Sequence, residues 1–390
     1  MILYWIHVHN SKTLKRTFRN HFLFSSFFLL CLNAGAQNLY VIKGNVTDEK
    51  NTPIRGATVF LTGRMNITVT DEKGNFRLDK LRAGSYGLVF TMIGYKPLVK
   101  EISIPNQDTI LSLQLTQQTT NLKEVTVKPD KSRLEYFEIF KKQFLGESEN
   151  ASQCKILNSE ILNFVNDTKS GKLTASSDEA LTIRNLALGY QVKYLLNHFE
   201  YDAIRNSFTY EGYTYFEELK GSPEEEAQWK ENRRKAYLGS THHFLRSVYE
   251  QNCRANGFIV YKIMNRAPLD IGTADRNLIK IDFDQVSFDS LLIMKDEHNK
   301  VLHYSDALYV IYTKGKEQAN YKNRNYSLKG LYSNRWMPEG QVSIVNLLRP
   351  VIIDENGLFM PTSGLFFEGY MGWEKIADLV PYEYSPAEQN

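Results

Sequence analysis

Thr70-Asp71-Glu72-Lys73-Gly74-Asn75-Phe76 joins two runs in which apolar residues alternate with polar ones. The Asp71 carboxylate is placed to accept a backbone N–H two residues on, and Gly74 suits a positive φ, so the stretch predicts a tight hairpin. On either side Val59 and Leu61, Phe76 and Leu78, and Tyr86, Leu88 and Phe90 each share one face of a strand. Around this hairpin, strands are predicted over Leu39 to Val46, Ala57 to Thr62, Ile67 to Thr70, Asn75 to Leu78, Gly84 to Thr91, Leu98 to Ile104 and Thr109 to Leu115. Seven short strands at this spacing predict a β-sandwich over residues 37–118. Gly44, Gly56, Asp71, Gly74, Gly84 and Gly94 are the expected turn residues.

Gly44-Asn45-Val46-Thr47-Asp48, Pro53-Ile54-Arg55-Gly56-Ala57-Thr58-Val59, Thr70-Asp71-Glu72-Lys73-Gly74-Asn75-Phe76, Leu81-Arg82-Ala83-Gly84-Ser85-Tyr86 and Gly94-Tyr95 together resemble the carboxypeptidase regulatory-like domain. The resemblance covers about residues 40–116 and implies a transthyretin-like sandwich that is not itself catalytic. Such domains accompany the peptidase domain of metallocarboxypeptidases and precede the plug in many TonB-dependent receptors of Bacteroidota. Leu122-Lys123-Glu124-Val125-Thr126-Val127 resembles the segment that follows the domain in such envelope proteins.

The chain has 390 residues, 42% hydrophobic and 23% charged, which bounds it to a folded protein of about two or three domains. Its 23 tyrosines and 22 phenylalanines favour strands. The formal charge of +3 is local. Lys12, Lys15, Arg16 and Arg19 lead the chain with no acidic residue before Gln37, and without them 43 basic residues face 44 acidic ones. That balance argues against a nucleic-acid partner.

The four cations precede an apolar run from Phe22 to Leu32, followed by Asn33-Ala34-Gly35-Ala36-Gln37. This order predicts a signal peptide over 1–36, cleaved between Ala36 and Gln37. The run is too short for a membrane span of about 20 residues, which counts against an uncleaved anchor. A lipoprotein acylated at Cys31 would want a small residue where Leu30 stands. After cleavage Cys154 and Cys253 remain, and their spacing is compatible with a bridge or with two buried thiols.

Residues 119–134 read as a linker and 135–390 as a larger antiparallel β-domain with helices near 135–145 and 223–252. A helix is expected over Leu134 to Leu145, and a long strand over Leu186 to Asn197 with Leu186, Leu188, Tyr190, Val192, Tyr194 and Leu196 on its buried face. Further strands are expected at Phe208 to Glu217, Gly257 to Met264, Leu278 to Phe283, Leu302 to Thr313, Tyr326 to Tyr332 and Gln341 to Val345. Ser222, Pro223 and the triple Glu224 to Glu226 mark a helix start, and Ser240 caps a second helix bearing Phe244, Leu245, Val248 and Tyr249. A last helical turn is expected over Trp373 to Val380.

The residues carry no recognisable catalytic signature. A zinc peptidase needs converging imidazoles and carboxylates. Past residue 37 only His198, His242, His243, His298 and His303 are present, without a His-Glu-x-x-His or His-x-x-Glu spacing. His303 and Asp306 share a suitable offset but fall in a strand pattern, and His242 and His243 would diverge by about 100° on a helix. Serine-hydrolase and nucleotide-loop motifs are absent. Asp282 with Asp284, a conceivable glycosidase pair, reads as a solvated face, and Asp48, Asp71 and Glu72 read as turn residues, not calcium ligands. Tyr210, Tyr213, Tyr215 and Phe216, like Phe366, Phe367, Tyr370 and Trp373, read as core filling rather than a stacking surface.

The expected molecule is mainly β: an exported, non-catalytic cell-envelope protein with no catalytic, metal or cofactor residues and no cofactor. Its sandwich would serve docking or spacing, and its larger domain would bind an envelope protein or a glycan or peptide ligand, in the periplasm or at the outer membrane. The alternatives are a hydrolase with an unrecognised site in 135–390 and an outer-membrane β-barrel or receptor-associated protein.

Overall fold

A computed structural model describes residues 39–118 (except 106), 131–264 (except 206), 280–322 (except 285 and 306) and 337–386. Tyr40–Asn390 constitute one compact unit.

The N-terminal sandwich consists of β1 (Tyr40–Thr47), β2 (Thr58–Leu61), β3 (Ile67–Val69), β4 (Asn75–Leu81), β5 (Gly84–Thr91), β6 (Leu98–Ile104) and β7 (Thr109–Gln114). One sheet has the order β4-β1-β7 and the other β3-β2-β5-β6, with β7 parallel to β1. The predicted alternation builds the core between them. Val59, Leu61, Leu88 and Phe90 are fully buried, and the Phe76 and Phe90 rings meet edge to face at 5.3 Å. At the hairpin, Asp71 accepts the N–H groups of Lys73 and Asn75, both at 2.8 Å. Gly56, Gly74 and Gly94 lie in turns at positive φ, and Gly84 opens β5. Gly44, expected at a turn, instead lies inside β1. A Cβ there would run into the Leu111 carbonyl of β7 and the Phe76 ring, so glycine is needed for close approach of two strands.

A second sheet is built from β8 (Cys154–Ile156), β9 (Asn163–Asp167), β10 (Lys172–Ser176), β11 (Ala180–Asn185), β12 (Tyr190–Asp202) and β13 (Ser207–Glu218). β12 is its spine: β11 and then β10 pair along one side, and β13 pairs along the other. Its core face carries Tyr190, Val192, Tyr194 and Leu196. A register shift between Leu196 and His198 then inserts one residue, so that Phe199 and Tyr201 continue the same face. Helix α1 (Lys131–Leu145) covers that face, with Phe140 against Phe199 and Phe144 against Tyr194, each pair at 4.9 Å.

Two sequence expectations change here. The helix begins at Lys131, inside the expected linker, whose residues 119–130 lie outside the described ones. The long strand begins at Tyr190 because Leu186 to Gly189 form the β11–β12 turn. Gly189 has φ 67°, and a side chain there would strike the Trp229 ring.

Trp229 belongs to α2 (Pro223–Tyr237), which starts with the expected capping box: Ser222 Oγ accepts from Glu225 N at 3.3 Å and Glu225 Oε2 accepts from Ser222 N at 2.8 Å. The Trp229 indole N–H donates to the Leu186 carbonyl at 2.8 Å, and Arg233 donates to Leu188 O at 2.7 Å with its guanidinium 3.9 Å over the Tyr190 ring. Helix α3 (Thr241–Tyr249) then sinks Phe244, Leu245 and Val248 into a further core.

That core lies between two antiparallel sheets. One has the order β15-β14-β18-β19-β22, from β14 (Phe258–Met264), β15 (Lys280–Asp282), β18 (Ala307–Tyr312), β19 (Gln341–Leu347) and β22 (Leu365–Gly369). The other has the order β16-β17-β20-β21, from β16 (Leu292–Met294), β17 (Asn299–Leu302), β20 (Val351–Asp354) and β21 (Phe359–Met360). Short helices α4 (Ala319–Lys322) and α5 (Tyr370–Trp373) complete the fold. The strand expected over Leu302 to Thr313 is split between β17 and β18, with Tyr304 buried in the break. The helical turn expected after Trp373 is a 3-10 turn at Ile376–Asp378, and Tyr326 to Tyr332 lie outside the described residues.

Candidate functional site

The β2–β3 hairpin reaches out of the sandwich and ends in Thr62-Gly63-Arg64-Met65-Asn66. Its tip is held by chain segments far away in sequence. Gly63 N donates to Thr214 O at 2.6 Å, Phe216 N to Arg64 O at 2.9 Å and Tyr382 N to Gly63 O at 2.8 Å, so the tip caps the open side of β13. Met65 N donates to the Glu383 carboxylate at 2.7 Å. Beside it, the outer face of the β3-β2-β5-β6 sheet packs Phe60 and Val89 against Leu195 and Tyr215, with the Phe60 and Tyr215 rings 4.6 Å apart.

Arg64 is the charged centre of this junction. Its side chain is 7% exposed, lies 3.7 Å from the Asp354 carboxylate (6% exposed) and stands 4.8 Å over the Tyr86 ring. Burial raises the pKa of Asp354 and Arg64 opposes that rise; the other Asp354 oxygen accepts the N–H groups of Asn356 and Leu358, both at 2.9 Å. Burial likewise raises Glu383, again opposed by Arg64. One guanidinium thus faces two desolvated carboxylates from different segments.

The histidines beneath are packing groups. The His242 ring stands edge-on to Tyr237 at 5.0 Å and Tyr382 at 5.2 Å, and burial pushes its pKa down to about 3. His243 Nδ1 accepts the Gly239 N–H at 3.1 Å, and burial lowers that ring to about 4. A groove of about 540 Å³ opens beside them, lined by Arg82, Tyr237, His243, Arg246 and Glu355 among others. Arg246 is already committed there: it donates to the carbonyls of Glu355 at 3.3 Å and Tyr384 at 3.1 Å, tying α3 to the β20–β21 turn and the C-terminal segment.

The other sequence candidates are dispersed. His198 and His303 are exposed, His298 is half-buried, and Asp306 lies outside the described residues. Asp282 ends β15 and accepts the Asp284 N–H at 3.0 Å, so the two do not share a strand face. Asp48 accepts the N–H groups of Lys50 and Thr52, and Glu72 pairs with Arg55 at 3.1 Å. Cys154 and Cys253 are free thiols, each raised to about 12 by burial. Tyr215 and Phe216 enter cores, and Tyr370 and Trp373 pack with Tyr321. Among the described residues no group of three or more His, Cys, Asp or Glu is placed to hold a metal.

A second buried carboxylate site escaped sequence reading. Asp378 accepts from Ser148 Oγ at 2.8 Å and Asn150 Nδ2 at 2.9 Å, fastening the C-terminal segment to the loop after α1. Burial raises both Asp378 and neighbouring Glu374, and their mutual repulsion raises Glu374 further. Arg64 escaped as well, since a lone arginine in a Gly-Arg-Met-Asn loop carries no local sign of burial.

The seven strands, their two-sheet arrangement and the Asp71 hairpin agree with one family. Residues 42–127 match the CarboxypepD_reg-like domain. Over 105 residues the chain is 34% identical to TonB-dependent receptor P39 of Formosa agariphila, a stretch that is 27% of this chain and 9% of the receptor's length. Among solved structures, 3-chlorocatechol 1,2-dioxygenase of Rhodococcus opacus is similar at TM-score 0.19 and 11% identity, over 22% of this chain and 62% of that one. A cohesin–X-dockerin complex chain of Acetivibrio cellulolyticus is similar at TM-score 0.17 and 27% identity, over 20% and 58%.

Proposed function

We propose that the protein is a non-catalytic, exported component of the cell envelope, in which the CarboxypepD_reg-like sandwich docks or spaces and the larger β-region binds an envelope protein or a glycan or peptide. The observation that carries this reading is the use made of the clustered ionisable groups. Arg64 with Asp354, His242 with His243, and Asp378 with Ser148 are buried, with half-buried Glu383 and Asn150 beside them, among segments they fasten together. A catalytic acid or base needs access to a substrate proton; His243 borders the groove with its Nδ1 taken by the Gly239 N–H, and Arg64, Asp354, His242 and Asp378 face protein. The likeness to a TonB-dependent receptor supports the envelope, and the charged leader with Ala36-Gln37 supports export.

Two measurements test it together. Envelope fractions should contain a chain whose first residue is Gln37, and the purified chain should give no turnover on peptide and glycan substrates with or without added zinc. A cytosolic chain retaining Met1 defeats export. Zinc-dependent turnover abolished by His303→Ala defeats the non-catalytic reading and favours the hydrolase.

A further inference from the structure

The sandwich has two sheets, and one is already engaged: the outer face of β3-β2-β5-β6 is covered by β12 and β13, and its hairpin tip is seated at Arg64. The other sheet, β4-β1-β7, ends in a strand with an unusual edge. β7 reads Thr109-Ile110-Leu111-Ser112-Leu113-Gln114, six residues without a charge or a proline. Every other described edge strand is either charged or very short. β4, β6, β9, β13 and β22 carry Asp, Glu, Lys or Arg, while uncharged β3, β16 and β21 have at most three residues. Natural sheets protect free edges with charges, proline, bulges or shortness, and β7 has none of these among the described residues.

Its side chains point the same way. Ile110, on the outer face, is 72% exposed. Leu111, on the core face, is only half-buried against the sandwich interior, so the core is thinly covered at this border.

We infer that the outward edge of β7, which no described strand pairs, is a self-association surface, and that its occupant is β7 of a second copy of this chain. The edge is complementary to itself. In an antiparallel pairing centred on Leu111, each Leu111 faces its symmetry mate on the core side, each Ile110 faces Ser112 on the outer side, and Asp108 falls opposite Gln114. No like charges meet, and two three-stranded sheets become one of six. A six-residue ladder with two apolar anchors makes a small interface, so the dimer is weak and concentration-dependent.

Sedimentation equilibrium on residues 37–390, from low to high micromolar, is the test. The expected result is a reversible monomer–dimer equilibrium. Ser112→Lys sets two ammonium groups beside the dyad and should weaken it about tenfold or more, with the circular dichroism and melting of the monomer unchanged. Ile110→Lys repeats the test at a more exposed position should Ser112→Lys misfold. Mixing Ile110→Cys with Ser112→Cys, both carrying Cys154→Ser because that thiol is only half-buried, should yield a disulfide-linked heterodimer, which neither variant forms alone in comparable yield; Cys253 is buried. A chain monomeric at every concentration overturns the inference and leaves the edge to a strand from another protein. A dimer indifferent to both lysine variants overturns it equally.

Discussion

Arg64 illustrates how much one side chain can control when it is charged and out of water. Removing one partner of a buried ion pair leaves the other desolvated and uncompensated, so Arg64→Ala should cost about 3 kcal/mol in chemical denaturation. The double variant Arg64→Met/Asp354→Leu should lose less than the two single variants summed, because no bare charge remains. His242 works in the opposite sense, by staying neutral. Its folded pKa of about 3 lies below the ordinary 6.5, so its contribution is fully present above pH 6.5 and is lost as pH falls toward 3. The carboxylates raised by burial, Asp354, Glu383, Glu374 and Asp378, bind protons more readily when folded and oppose this loss on acidification. His242→Phe isolates the imidazole. Between pH 7 and pH 4 it should lose less stability than the parent by on the order of 3 kcal/mol, measured by urea unfolding at both values. Equal losses would show that His242 is solvated in the folded protein.

At the level of elements, the β11–β12 turn and α2 are joined through Gly189. Its positive φ and the Trp229 ring against it exclude a side chain, so Gly189→Ala should destabilise by about 2 kcal/mol or more, visible as a lowered melting temperature. The same turn shows where sequence stops informing structure. Leu186, Leu188 and Tyr190 alternate as a strand would, yet Asn185 caps a reversal by accepting the Leu188 N–H at 3.0 Å, and Trp229 from another element completes it. In the sandwich, turn residues and two-residue periodicity coincide, so six of its seven strands are legible to within one residue, while β4 runs three residues past its expected end at Leu78. Beyond residue 145, several strands have three to five residues, too short to show a period, and β8 and β22 gain their pairing from strands that are not their neighbours in the chain. The caps of α2 and α3 were readable because a cap is a local device. The Arg64 junction was not, because its partners Asp354 and Glu383 lie about three hundred residues away.

For the molecule as a whole, the seated hairpin and the Phe60–Tyr215 contact make the sandwich a fixed part of a larger body. Calorimetry of residues 37–390 should therefore show one cooperative transition, and two resolved transitions would mean that the sandwich melts independently. A fragment of residues 37–118 should melt at a lower temperature than the full unit, because Phe60 and Val89 lose their cover. The hairpin tip also sets a timetable. Gly63 and Met65 are bonded to Tyr382 and Glu383, across 318 positions in the latter case, so the first-made module cannot take its final seat until nearly all of the chain has arrived. During synthesis from the N-terminus, the nascent sandwich waits with Phe60 uncovered until Leu195 and Tyr215 arrive, and with Arg64 hydrated until Asp354 does. Any stop before Tyr382 would leave the hairpin tip without the partners of Gly63 O and Met65 N, an opening for proteases and for wrong strand partners that closes only when the tail docks.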